Sequence, residues 1–233
     1  MVSMVAGCAA RRAEIPPVRP DRAKSTATAG SVVAARLRAD AEVDAAYYRE
    51  RAMALGSEAR DEIARTNFGR FRRGALYAIG HVDSQGIQSL ERDIGTALEK
   101  DDFPALLDIT AKILASDQAD IRTHLFRAVA LRELQRPAEE GFHRDLAASM
   151  LKSILQTGDG RGVDSAWTVY RVKEEYDVIK VLGFVVQSQA LIEHASRRYD
   201  VLQIGGTDGK TTGRIHFDIT ELVAEEQRSL SLR

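Results

Sequence analysis

Thr157-Gly158-Asp159-Gly160-Arg161-Gly162 marks the place where the hydrophobic period of this chain changes. Upstream, apolar residues recur every three or four positions, the spacing that lines one face of a helix. Phe142, Leu146, Met150 and Ile154 step by four directly into the loop. Phe68, Phe71, Ala75, Leu76 and Ile79 form an earlier stripe, and Ile87, Leu90, Ile94, Ala97 and Leu98 another. Downstream, residues 167–172, 184–192, 199–204 and 214–219 are short runs rich in Val, Ile, Tyr and Phe, which read as strands. A helix over 173–182, closed by Gly183, interrupts them, and another starts at Thr220, a candidate N-cap. Asp208-Gly209 is a hairpin dipeptide between the last two strands. The fold class that follows is α+β, mostly α: a tetratricopeptide-like helical body, then a small antiparallel sheet with one or two helices.

Working outward from the loop, Gly158 is placed to close the preceding helix in a left-handed conformation. Pro137 suits a first helical turn, where Glu139 and Glu140 meet the positive end of the dipole. Thr96-Ala97-Leu98-Glu99 and Val129-Ala130-Leu131-Arg132 lie 33 residues apart, as do Pro104 and Pro137. That period matches paired-helix repeats, although the Trp, Gly and Tyr of the strict tetratricopeptide signature are missing. The helical pattern begins near Ser31. The expected organisation is a leader and linker over 1–30, a helical domain over 31–158 and a small α+β domain over 163–233.

Residues 1–24 differ from everything after them. Val5-Ala6-Gly7-Cys8 resembles a bacterial lipobox, in which the cysteine is acylated, and a proline-containing spacer with Pro16, Pro17 and Pro20 follows. The apolar stretch before Cys8 is shorter than a full leader, which fits a natural start further upstream. Cys8 is thus the candidate lipidation site. The expected location is the bacterial cell envelope, periplasmic and lipid-anchored, with the cytoplasm as the alternative.

The 233 residues are 44% hydrophobic, enough to build a core, and carry a net charge of −1, which leaves no cationic surplus for general nucleic-acid binding. No apolar run reaches membrane-spanning length, so membrane contact is expected only through a lipid on Cys8. A single cysteine rules out an internal disulfide and a multi-thiolate zinc site. Among His81, His124, His143, His194 and His216 no pair has metal-ligand spacing, so no metal or cofactor is expected. Gly209-Lys210-Thr211 lacks the upstream glycine and following helix of a phosphate-binding loop. Asn67-Phe68-Gly69-Arg70-Phe71-Arg72-Arg73 reads as a helix with phenylalanines inward and arginines either solvated or paired with acids; a basic patch is the functional alternative.

The order Gly158-Asp159-Gly160, Ala166, Val169, Glu174-Glu175-Tyr176, Leu182-Gly183, Gln189, Asp200 and Phe217-Asp218-Ile219 resembles a bacterial family known as the domain of unknown function four-nine-one-nine. The resemblance covers roughly residues 60–220 and is tightest over 155–219. It implies a helical body before the tail and an exported or lipidated N-terminus, and it carries no activity across. It also implies a set of candidate ligand or junction residues: Asp159, Gly160, Tyr176, Gln189, Asp200 and Asp218, with Glu174, Glu175 and, from the body, His124.

Two functions are therefore expected, in order. The first is a non-catalytic, envelope-associated module whose helical groove or tail sheet binds a protein or peptide. The second is an enzyme or small-ligand binder at the helix–tail junction, with Glu174 or Glu175 as base, His124 or His143 as helper, and the 157–162 loop as an anion cradle.

Overall fold

Nine helices and a four-stranded sheet make up the described residues, 22–79, 84–206, 208 and 211–231, of the computed structural model. The helices α1 (Arg22–Leu55), α2 (Arg60–Arg65), α3 (Phe68–Ile79), α4 (Ser84–Glu99), α5 (Phe103–Ser116), α6 (Ile121–Glu133) and α7 (Pro137–Leu155) come first. Then follow a 3-10 turn (Val163–Ser165), β1 (Trp167–Thr168), α8 (Val172–Val181), β2 (Phe184–His194), β3 (Arg197–Gly206), β4 (Thr212–Asp218) and α9 (Thr220–Ser231). The chain is accordingly α+β and mostly α. Helix α1 starts at Arg22, ahead of the expected Ser31, because Ala23, Ala27 and Ala29 favour helix within an otherwise polar stretch. Among the described residues, those up to Ala39 form a unit of their own, and those from Asp40 onward form the other. No helix among the described residues is long and apolar enough to cross a membrane.

The 33-residue period corresponds to a repeated turn. Helices α4 to α7 pack in sequence, each on the next. After α4 the chain turns at Asp101, φ 52°, and after α6 at Gln135, φ 59°. In each case the next amide reaches back to close the helix: Asp102 N–H to Ala97 O at 2.9 Å, Arg136 N–H to Leu131 O at 2.8 Å. This is the hydrogen-bond pattern of a Schellman ending. Pro104 and Pro137 then open the following helices. Between the two hairpins, Asp120 caps α6 by accepting from Thr123 N–H at 3.1 Å.

The apolar core is continuous from helices to sheet. Phe71, Phe142, Leu146, Met150 and Ile154 join Trp167, Leu202, Ile204, Phe217 and Ile219 in one cluster. A second cluster, around Ile94, Leu106, Ile113 and Ala130, holds the α4–α6 helices together. The four-residue stripe of α7 is fully buried, as its spacing predicts.

The sheet has the order β1-β4-β3-β2. Strands β2, β3 and β4 are antiparallel, while β1 is parallel to β4, with Trp167 opposite Phe217. The sheet is therefore mixed, which corrects the all-antiparallel expectation. The expected strand over 167–172 shrinks to two residues because Glu174 takes the Tyr170 N–H at 2.9 Å and starts α8. Two further expectations are corrected locally. The left-handed glycine of the 157–162 loop is Gly160, φ 72°; Gly158 is needed because a Cβ there would lie 2.1 Å from the Ser165 carbonyl oxygen. Thr220 does not cap α9 with its hydroxyl, which instead accepts from Arg198 N–H at 3.0 Å and donates to Asp218 Oδ1 at 2.6 Å.

One side chain ties these elements together. Arg72, on α3, is completely buried. Its Nε lies 3.1 Å from Glu174 Oε1 and its Nη2 3.3 Å from Glu174 Oε2. Nη1 donates to Ser153 Oγ on α7 at 3.1 Å, and Nη2 to the Thr168 carbonyl on β1 at 3.0 Å. The guanidinium thus fixes α3, α7, β1 and α8 against one another. Removing one partner of a buried pair leaves the other charge without compensation. Arg72→Ala is expected to lower stability in urea unfolding by about 3–5 kcal/mol, whereas the double change Arg72→Met with Glu174→Leu is expected to recover most of the loss.

Candidate functional site

Helix α8 packs against β2, and its consecutive side chains leave it in different directions, about 100° apart. Glu175 points at β3, where it meets the carboxyl group of Asp200. Gln189 stands opposite Leu202 on β2, on the sheet face that also carries Asp200. Its amide Nε2 donates to Asp200 Oδ2, and its Oε1 accepts from the Tyr176 hydroxyl at 2.9 Å. Tyr176, Gln189, Asp200 and Glu175 therefore form one chain that runs from the surface to a fully buried carboxyl.

The electrostatics of this chain follow from burial. Neither oxygen of Glu175 nor Oδ1 of Asp200 meets a donor from any other group. Burial first, and then the Asp200 charge beside it, pushes the Glu175 carboxyl up to about 9. Burial also raises Asp200, while the hydrogen bonds from Gln189 and Glu175 pull it back down. At neutral pH Glu175 is thus protonated and donates to the Asp200 carboxylate, two acids sharing one proton. Glu175 is an acid sealed from solvent, so it is not available as a base. Glu174 is equally committed, to Arg72 and to the Tyr170 amide.

The two histidines form a separate group. Arg127 Nε–H donates to His143 Nε2 at 2.9 Å, with Glu58 Oε1 3.3 Å from the same nitrogen; with Nε2 accepting from Arg127, the His143 proton sits on Nδ1. That proton faces His124 Nδ1 at 2.8 Å, and His124 Nε2–H in turn faces the Gln118 carbonyl at 3.0 Å. Burial, reinforced by His124 and Arg127, pushes His143 down to about 3, and burial also lowers His124. Both rings are neutral, and none of their hydrogen bonds involves Glu174 or Glu175. The expected pairing of a glutamate base with a histidine helper is not formed.

The remaining candidates act as ties. In the 157–162 loop, Asp159 N–H and Gly160 N–H both go to the Ser165 carbonyl, at 3.0 and 2.8 Å, and Arg161 N–H goes to Asp159 Oδ1 at 2.9 Å. These amides are committed within the loop, which corrects the expectation of an anion cradle. The Gly160 carbonyl accepts His216 N–H at 2.9 Å and stitches the loop to β4. Asp218 accepts from Arg197 and from Thr220 N–H at 3.0 Å. Cys8, His81, Gly209 and Lys210 lie outside the described residues. Among the described residues no group of three or more His, Cys, Asp and Glu side chains is arranged to hold a metal ion.

A cluster of ion pairs at the α6–α8 contact had no sequence signal beyond helix capping. Asp117 accepts from Arg171 and, at 2.9 Å, from Lys173; Asp120 accepts from Lys173 at 2.6 Å. Burial alone would raise Asp117, but the two cations win and hold it at about 2. Arg122 pairs with Asp177 at 2.8 Å, yet burial still lifts Asp177 to about 6. Arg70 and Arg73 both pair with Asp44, at 2.5 Å, so the 67–73 segment is an ion-paired helix whose middle arginine is core.

The acid pair sets a pH dependence. Because the folded-state pKa of Glu175 stands at about 9 against an ordinary 4.5, the folded protein holds one proton more than the unfolded chain between those values. Its contribution is fully present at the acid end of that window and is lost as pH rises through it. Glu175→Gln, which cannot ionise, is expected to flatten the decline of thermal stability between neutral and alkaline pH. Near pH 8 it should raise Tm by roughly 2–4 °C for each kcal/mol recovered, as followed by circular dichroism.

The family model described as Domain of unknown function (DUF4919) matches residues 81–228, from the α4 region through the sheet to α9. No curated protein and no solved structure matches the chain. The matched segment contains Glu174, Glu175, Tyr176, Gln189 and Asp200, whereas Arg72 lies before it. It spans well over half of the 233 residues, and the chain therefore belongs to the DUF4919 family.

Proposed function

We propose that this chain is a non-catalytic, envelope-associated interaction module that takes up an extended segment of a partner polypeptide along the outer edge of β2. The observation that carries this reading is the edge itself. Strand β2 is 11 residues long and sits at the end of the sheet, hydrogen-bonded only to β3. Sheet edges left open to solvent are usually guarded by lysine, proline, inward charge or brevity. Residues 184–192 of β2 hold neither proline nor any charged residue, and protection is limited to a bulge between Val186 and Ser188 and to Glu193 near the strand's end.

Apolar side chains along the edge are accessible on both faces. Register places Leu191 on the face that carries Asp200, and Val185 and Ile192 on the opposite one. Their exposures of 65%, 51% and 37% are high for such residues in a sheet, and Val181 and Leu182 are exposed at the end of α8, where it turns into β2. An added strand would satisfy the free amides and carbonyls and would cover alternate apolar side chains, the usual mode of strand addition. The occupant is an extended segment with alternating apolar residues. The envelope location rests on the lipobox-like Val5-Ala6-Gly7-Cys8.

The test is capture of partners by the tagged full chain from detergent-solubilised host envelopes, followed by hydrogen exchange on the complex. Val185→Lys and Leu191→Lys, which place the natural edge-blocking residue on exposed positions, are expected to abolish capture without changing Tm. The bound partner should slow exchange of the β2 amides. Protection confined to α4–α7, or capture that survives both substitutions, would overturn the proposal. A dimer of the chain alone that the same substitutions dissolve would assign the edge to a second copy.

A further inference from the structure

A cavity of about 220 Å³ lies between α4, α6 and α8, and neither Tyr176 nor Gln189 lines it. Its walls differ in chemistry. Helix α4 contributes Ile94 and Leu98 and helix α6 contributes Phe126, an apolar wall. The lining also includes Arg122 and Thr123 from the first turn of α6 and Lys173 and Lys180 from α8. We infer that this cavity is a binding site for a small carboxylate with an apolar body, its acid group among Arg122, Lys173 and Lys180 and its hydrocarbon against Ile94, Leu98 and Phe126.

Two of the three cations are held in place before any ligand arrives. Lys173 is anchored by Asp117 and Asp120, and Arg122 by Asp177. Lys180 is exposed and makes no side-chain hydrogen bond or ion pair with the described residues, so its charge is available. Asp120 pairs with Lys173 and caps α6, Glu91 is an exposed residue, and Lys180 is the lining cation whose charge is not already paired. The α6 backbone adds little, since the Thr123 amide is taken by Asp120. Recognition falls to the side chains.

Gly95 supplies an independent observation. It sits inside α4, where glycine is the poorest residue short of proline, and it lines the cavity. A Cβ built there would meet no atom within 4 Å, so packing does not demand a glycine. What its missing side chain preserves is the open space. A mixed wall of fixed cations and apolar side chains around such a space is the usual composition of a small-molecule site. The inference stands independently of the β2 edge, because none of its residues belongs to the sheet.

Octanoate is the probe, titrated into the full-length protein by calorimetry and thermal shift, with octanol as the uncharged control. Octanoate is expected to bind and raise Tm, with octanol weaker by roughly tenfold or more, the scale of one charge-assisted contact. Lys180→Ala should weaken octanoate by a similar factor and leave octanol unchanged. Gly95→Leu improves the helix while filling the space, and should abolish binding in a protein at least as stable as the wild type. The proposal is overturned if octanoate does not bind, if octanol binds equally well, or if Gly95→Leu binds as the wild type does.

Discussion

The arrangement of this molecule depends on the sealed ion pair between Arg72 and Glu174. Taking a guanidinium and a carboxylate out of water costs several kcal/mol per ion, and attraction offsets that only when nearly every donor and acceptor is matched. Here the Arg72 donors on α3 are matched by partners on three other elements: Glu174 on α8, Ser153 on α7 and the Thr168 carbonyl on β1. Such a site tolerates few arrangements, so the pair specifies how the helices meet the sheet more than it adds net stability. Glu174 also accepts the Tyr170 amide, which ends β1 and begins α8. The same carboxylate thus fixes the position of α8 and its first turn.

Everything that α8 touches follows from that anchoring. With Glu174 directed to α3, the helical rotation carries Glu175 to Asp200 on β3, Tyr176 to Gln189 on β2 and Asp177 to Arg122 on α6. Four consecutive residues thereby reach four elements. Glu174 and Asp177 each meet an arginine, whereas Glu175 meets another acid and keeps its proton. A carboxyl that is neutral at pH 7 inside a protein is commonly an indication of acid–base catalysis. Here no solvent-exposed atom of Glu175 faces a cleft, and the histidines lie in another network, so the proton serves the contact between α8 and β3.

Much of the fold was legible in the sequence for simple reasons. The Phe142–Leu146–Met150–Ile154 stripe has one geometric meaning, and Gly183 closes α8 at φ 78° as its place after an apolar run predicts. Pro104 and Pro137 mark real helix starts. The losses also have causes. The turn between β2 and β3 uses Ala195 and Ser196, both with positive φ, in place of the Asn-Gly or Asp-Gly that would announce it, so the sequence pattern ends the strand at Ile192 and the structure at His194. The 167–172 run has strand composition, and only a capping contact made across the fold ends it early. Of the candidate residues, Glu175, Tyr176, Gln189 and Asp200 do converge, but single-sequence reading treated them as a set without a geometry. An acid partner for Arg72 is among the readings of its basic run, but its burial is not legible there, and that partner is 102 positions away.

Helix α8 links the two surfaces to which binding is assigned here. Its Lys173 and Lys180 line the cavity, and its Tyr176 meets Gln189 on β2. An open edge strand binds well only if it is already straight and immobile, since ordering it on contact would consume much of the gain. Here the ladder to β3 fixes one side of β2, and the Tyr176–Gln189–Asp200 chain fastens its middle to a helix held by Arg72. The cations of the cavity are held by the same helix, through the contacts of Lys173 with Asp117 and Asp120. A site is only as well defined as the element that carries it. In this protein both depend on a single buried arginine that lies before the segment matched by the family.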